Sequence, residues 1–247
     1  MTKAVLILAG QRAGVVDPLC ESTAVSHKAD VPVQGIPMLT RVTTALVEAG
    51  FSDALYISGF SGSAFPEVPS GDGPADSVRL ALEALDKYPC LITTCDHALL
   101  TADMVSAFTA GAKEAGADIC VGLASKEVIQ SAYPKTRRTY LKFSDISVSG
   151  CNLFYIANGN GLKAIVFWQS VQHLRKSPLK LTRKLGIGVG IKDMMGRLTL
   201  QGAFDYAANR IGISAAPVLL PFAEAAIDVD KPSDLDLVES ILVARKS

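Results

Sequence analysis

"KAVLILAG", residues 3–10, decides how the rest of the chain is read. Ala4–Ala9 is a continuous apolar run with no polar alternation, stopped by Gly10. Such a run suits a strand buried on both faces, as in a parallel sheet covered by helices. Outward from it, "PMLTRVTTALVEAG" (37–50) carries helical spacing through Leu39, Val42, Leu46 and Val47 and stops at Gly50. "DALYISG" (53–59) reads as a second strand, "ADSVRLALEALDKY" (75–88) as a second helix and "PCLITTCD" (89–96) as a third strand ending in an aspartate. A helix near 102–115 and a strand at "ADICVGL" (117–123) continue the alternation. This predicts an α/β fold, doubly wound around a mostly parallel, Rossmann-like sheet. Ligands of such sheets bind at the carboxyl ends of the strands, where Gly10 and Asp96 fall.

The second half is less regular. "RRTYLKFS" (137–144) and "SGCNLFYI" (149–156) read as paired strands of a small lid or acceptor-side hairpin. Helices are expected at 162–174, 178–185 and 202–212, and a last one after "AAIDVDKPSD" with Ser233 as its N-cap. The 247 residues therefore read as one domain, 1–247, with 137–212 as a less regular acceptor-side or lid subregion.

Composition narrows the function. Lys plus Arg and Asp plus Glu are 24 each, which leaves no net charge and argues against general nucleic-acid binding. Ala4–Ala9 is too short for a signal-peptide core, and no stretch reaches the roughly 18 apolar residues that span a bilayer. "SAAPVLLPFAEAAI" (214–227) is interrupted by Pro217 and Pro221. Five cysteines without metal-type spacing read as reduced core residues of a cytoplasmic protein. One asymmetry stands out: 146–192 holds no acidic residue, whereas Lys163, Arg175, Lys176, Lys180, Arg183, Lys184 and Lys192 are basic. That stretch reads either as a solvated surface or as a face for an anionic acceptor or phospholipid, with Phe167 and Trp168 nearby.

A strand that ends in glycine lets backbone N–H groups approach phosphates closely. "LAGQRAG" (8–14) follows that plan, and "AVSHKADVPVQGIPML" (24–39) places Lys28 before a turn with Gly35 and Pro37. Here the chain resembles the nucleotidyltransferases of the GT-A-like fold: sugar-phosphate and molybdenum-cofactor nucleotidylyltransferases and the methylerythritol-phosphate cytidylyltransferase. "SGDGPADSVRLAL" (70–82) resembles their glycine-rich segment, "LITTCDHALLT" (91–101) their strand ending in a metal-binding aspartate, and "AAIDVDKPSDLDLVE" (225–239) their closing motif. The resemblance covers roughly 3–125 and 214–242. It departs at Gln11, where the family usually has a second glycine, and at Arg12, which lies earlier than the family's arginine.

The resemblance implies transfer of a nucleoside monophosphate, CMP favoured, from a nucleoside triphosphate to a phosphorylated small molecule or lipid precursor, releasing pyrophosphate. An acceptor phosphate is already anionic near neutral pH, so such a reaction needs alignment and charge neutralisation rather than a catalytic triad. Lys28 and Arg12 are the implied cations. Asp96 with Asp228 and Asp230 would hold Mg²⁺. Leu8, Ala9, Gly10, Gln11, Gly71, Gly73 and Ser77 would line the nucleotide, and Gly150 and Asn152 the acceptor. Of Asp228 and Asp230 one is expected to face the metal, Asp228 being preferred, since Asp230 could instead bond the turn at 231–233. His27 and His97 are read as neighbours of the chemistry rather than participants, and His173 as a surface residue.

Two other readings fit the same residues. One is a glycosyltransferase of related fold, which relies on an aspartate–x–aspartate at the end of the third strand; "CDHALL" (95–100) has no second carboxylate, and His97 would be a poor substitute. The other is a non-catalytic nucleotide-binding relative, suggested by Gln11 and Arg12. Oligomeric state is not legible in the sequence.

Overall fold

A computed structural model describes residues 2–11, 14, 17–171 and 198–245. The chain runs β1 (Ala4–Leu8), α1 (Pro18–Thr23), β2 (Pro32–Val33), β3 (Ile36–Pro37), α2 (Met38–Glu48), β4 (Leu55–Ser58) and β5 (Glu67–Val68). It continues through α3 (Pro74–Leu85), β6 (Cys90–Thr94), α4 (Ala102–Ala115), β7 (Ile119–Ser125), α5 (Lys126–Ala132), β8 (Leu141–Lys142) and β9 (Ser147–Ile156). It ends with α6 (Leu162–Val171), α7 (Leu200–Ile211), β10 (Ala215–Leu220) and α8 (Pro232–Ala244).

The main sheet has the order β10-β7-β9-β6-β1-β4-β5, with β8 paired to β9. β1 lies parallel to both β4 and β6, so the opening strand is central. Its continuous apolar run follows from that position. Val5 and Ile7 join a core with Val42 and Leu46 of α2 and Val105 and Phe108 of α4. Ala4 and Leu6 face the opposite layer, with Val78 and Leu82 of α3 and Ile165 of α6. Every side chain of a strand covered on two faces must be apolar, whichever way it alternates.

One expectation about the sheet is corrected. The segment 149–156 does not stand apart as a lid hairpin. It belongs to β9, which runs antiparallel between β6 and β7 in the middle of the sheet, and its short pairing with β8 is a side branch. Cys151, Leu153, Tyr155 and Ile156 are buried, which a peripheral hairpin could not achieve. The segment 215–220 forms β10, an edge strand parallel to β7. Pro217 is tolerated there because an edge strand has one side free of ladder bonds.

Ser233 does not cap the last helix. Lys231 holds the cap position, Pro232 opens the helix, and the Asp234 carboxylate reaches back to accept from the Asp230 N–H at 3.3 Å. Proline suits that first position because its missing N–H would have had no intrahelical partner. The helix expected at 162–174 is seen as α6 up to Val171. The helix at 178–185, His173 and the basic residues from Arg175 to Lys192 lie outside the described residues. Among the described residues no helix is long and apolar enough to cross a membrane, and the five cysteines are buried and unpaired.

Candidate active site

Three distant segments converge where β1 and β6 end. The strand end itself is tied across the sheet, since the Cys95 N–H donates to the Leu8 carbonyl at 2.9 Å and the Ala9 N–H to that of Ser58 at 2.8 Å. Gly59, at φ +84°, comes so close that a Cβ on it would lie 2.5 Å from the Gly10 Cα. Gly10 is different. A Cβ there would meet nothing within 4 Å among the described residues, so their packing does not demand a glycine. Its bareness leaves the strand end open to whatever lies above it.

Gln11 closes the first turn. Its Oε1 accepts the Lys28 backbone N–H at 3.1 Å, so the side chain is spent on fastening two loops together. Lys28 begins a 3-10 turn, Lys28–Asp30, capped by His27, whose Nδ1 accepts from the Ala29 N–H at 3.0 Å. The His27 ring packs against Phe60 at 4.7 Å between centroids. His27 is thus a cap and a packing group. Arg12 lies outside the described residues.

The Lys28 ammonium sits 2.8 Å from Oδ2 of Asp96 and 2.8 Å from Oδ1 of Asp230. Two oxygens that close to one nitrogen are within reach of one small cation. The Lys28 and Asp96 side chains are each 16% exposed, and Asp230 is 63% exposed. Burial disfavours the lysine's charge, but Asp96 and then Asp230 outweigh it and hold the ammonium well above its ordinary pKa. The Thr94 hydroxyl donates to the other Asp96 oxygen and orients the carboxylate. The closing segment docks directly on this strand end, with the Val229 N–H donating to the Asp96 carbonyl at 3.0 Å.

Asp228, two positions before Asp230 and so on the same side of the extended segment, engages a different set of partners. Its carboxylate accepts from Arg138, and from Asn152 Nδ2 at 3.2 Å. Burial pushes the Asp228 carboxyl upward, and the charges of Asp230 and Asp96 push the same way against Arg138. Asp230, rather than Asp228, shares the lysine with Asp96. Among the described residues no three His, Cys, Asp or Glu side chains enclose a metal position. A cation here would have two carboxylates and would need its remaining oxygens from substrate and water, which is how Mg²⁺ is commonly held.

Arg138 was not legible in the sequence. Its side chain is 11% exposed and contacts Asp228 and, at 3.9 Å, Asp234. Adjacent Arg137 is exposed and looks identical by residue type. Asn152, expected on the acceptor side, holds Asp228 from a left-handed backbone position at φ +50° beside an irregularity in the β7–β9 register. Asparagine tolerates that conformation better than most residues. Gly150 lies close by in the chain, exposed and opposite Leu123.

The glycine-rich segment follows β5 and is tied to the end of β4, the Ser58 hydroxyl donating to the Pro69 carbonyl at 3.0 Å. The Gly71 N–H donates to Ser77 Oγ at 3.0 Å, while Gly73 caps α3. A Cβ on Gly71 would come 2.1 Å from an Asp76 oxygen. Asp76 cannot move away freely, because Arg79 and Gln169 both donate to it. Ser77 therefore shapes the loop, and Gly71 is required by close approach.

His97 is 1% exposed, with its ring against the backbone of Glu224. Burial depresses its pKa to about 4, so it is neutral near pH 7. Buried and uncharged, it supplies no second carboxylate after Asp96.

The family described as MobA-like NTP transferase domain matches residues 5–181. A hypothetical transferase from Thermus thermophilus is 30% identical, with a TM-score of 0.81 over 95% of this chain and 100% of that one. The 2-C-methyl-D-erythritol 4-phosphate cytidylyltransferase of the same organism is 15% identical, with a TM-score of 0.52 over 98% of both chains. Molybdopterin-guanine dinucleotide biosynthesis protein A from Archaeoglobus fulgidus is 11% identical, with a TM-score of 0.55 over 98% of this chain and 99% of that one. At those lower identities the likeness is one of fold. No curated protein matches the sequence.

Proposed function

The chain belongs to the MobA-like NTP transferase domain family and is a pyrophosphate-releasing nucleotidyltransferase; on that premise we propose that it moves CMP from CTP onto a phosphorylated small molecule. The carrying observation is the meeting of Lys28, Asp96 and Asp230 at the ends of β1 and β6. The preference for CTP rests on the resemblance of 71–78 to the cytidylyltransferase branch. Sugar phosphates, polyol phosphates and phosphorylated lipid precursors are the acceptors that fit, and a peripheral membrane contact would follow from the last of these.

In this reading an oxygen of the acceptor phosphate attacks the α-phosphorus of CTP. The bond from that phosphorus to the bridging oxygen breaks, and pyrophosphate departs with the electron pair. The nucleophile is already an anion, so no side chain need remove a proton. Lys28 supplies positive charge for the phosphoryl oxygens, where a semi-buried ammonium acts more strongly than in water. Gly10 leaves the β1 end bare for the phosphates, and Gly71, Gly73 and Ser77 shape the wall for base and ribose. Asn152 and Gly150 border the acceptor side.

The donor set suits magnesium. It consists of carboxylate oxygens alone, and Asp96 and Asp230 already share one cation, with Asp228 held beside them by Arg138 and Asn152. Bound there, Mg²⁺ would neutralise charge accumulating on the phosphoryl oxygens. The test is a matrix of the four common triphosphates against phosphorylated acceptors, read by pyrophosphate release with Mg²⁺. Release with CTP and one acceptor class is the expected result; no release in any cell of the matrix, from folded protein, overturns the reading.

A further inference from the structure

We propose that Lys28 is a resident cation, filling the place between Asp96 and Asp230 that the divalent ion takes, and leaving it only when metal and triphosphate arrive together. The inference rests on the magnesium-dependent reading above. It deepens that reading by assigning the site an order of binding.

Both Lys28 contacts are 2.8 Å, so one ammonium bridges the two carboxylates. Magnesium takes oxygens at about 2.0–2.1 Å, and it cannot share that space with a nitrogen already there. A bare ion would have to evict the ammonium from two carboxylates at once. The displaced lysine would be left largely buried without a counter-charge, which is the costly half of breaking a buried ion pair. Asp228 offers it no refuge, since Arg138 and Asn152 already donate to both of its oxygens.

The metal–triphosphate chelate removes that obstacle. It delivers a divalent cation to the carboxylates and anionic oxygens to the lysine in one step. The four-carbon stem of lysine lets its charge swing while its backbone stays fixed. Here the Lys28 N–H is pinned by Gln11 at 3.1 Å. The protein thus excludes free metal and admits metal bound to nucleotide.

The full chain is titrated with Mn²⁺ alone, and the unbound ion is followed by electron paramagnetic resonance. Lys28→Met is expected to bind Mn²⁺ at least tenfold more tightly than wild type, and Mn²⁺ is expected to raise its thermal midpoint but not that of wild type. Lys28→Gln serves as a second neutral variant should the methionine protein fold poorly, and Lys28→Arg, which keeps a cation in place, should bind as weakly as wild type. In Lys28→Met the gain should vanish on adding Asp96→Asn. Neutral variants that bind Mn²⁺ no more tightly than wild type overturn the proposal, as does a gain that survives Asp96→Asn. Because the titration contains no nucleotide, its outcome is independent of whether pyrophosphate is ever released.

Discussion

Lys28 and Asp96 are 68 residues apart in the chain, and their charged groups lie 2.8 Å from each other. Asp230, 202 residues from the same lysine, completes the group. The contact brings the loop after β1, the end of β6 and the segment before α8 into one electrostatic unit. The chemical predictions start from it.

Replacing Asp96 by Asn removes a carboxylate while keeping its shape. Pyrophosphate release should fall by about 100-fold or more, a loss typical of removing one well-placed electrostatic group. Lys28 keeps Asp230 as partner, so the thermal midpoint should change little. A variant retaining more than a tenth of wild-type turnover would remove Asp96 from the chemistry.

Asp228 and Asp230 should separate in their effects. Asp230→Asn should weaken Mn²⁺–nucleotide binding more than Asp228→Asn, because Asp230 shares the lysine with Asp96 whereas Asp228 accepts from Arg138 and Asn152. Calorimetry with a non-hydrolysable triphosphate measures the difference. The reverse order would return the metal to the Asp228 side.

Arg138→Met should destabilise the fold by about 1–3 kcal/mol, since it leaves a largely buried carboxylate without its cation. Adding Asp228→Asn should recover part of that loss, because the stranded charge is then gone. Urea unfolding of the two single variants and the double variant tests this, and strictly additive losses would count against coupling.

Two glycines should behave oppositely. Gly71→Ala forces a Cβ against the Asp76 carboxylate, so stability should drop by about 1–3 kcal/mol as the loop shifts. Gly10→Ala meets no atom of the described residues within 4 Å, so its stability should stay near wild type while nucleotide affinity falls. Thermal melts paired with nucleotide titration separate the two. A Gly10→Ala protein that binds nucleotide normally would mean the β1 end is not a phosphate site.

Buried His97 predicts a pH response measurable with chelator present. Its folded pKa, about 4, is below its unfolded value near 6.5, so the unfolded chain takes up the proton first. The resulting stability is whole above pH 6.5 and drains away as pH falls toward 4. The full effect is about 3 kcal/mol by linkage. Unfolding at pH 7 and pH 5 should show the decline, and His97→Gln should flatten it. An equal decline in the variant would assign it to other groups.

Much of the architecture was legible because its signals are local. A strand covered on both sides must be apolar at every position, so β1 and β6 were visible as runs, and helical spacing located α2, α3 and α4. The site-bearing segments were legible through their resemblance to a family, since their order along the chain is itself information. β9 was misread for a physical reason. Whether an apolar stretch enters the centre of a sheet, its edge or a hairpin depends on neighbours that periodicity does not encode. Arg138 was hidden similarly, because only the approach of Asp228 distinguishes it from Arg137.

By itself, then, the amino-acid order determined the alternating elements, the bare glycine turn after the first strand and the chemical kind of the groups that follow the strands. Apolar periodicity and residue type act over a few positions and survive any arrangement of the remainder. Only the tertiary structure decided that Asp230 joins Asp96 on Lys28 while Asp228 turns to Arg138 and Asn152. That choice depends on distances of a few ångströms between segments up to 202 residues apart. Coulomb energy in a semi-buried site changes steeply with such distances, so the pairing is a property of the assembled fold.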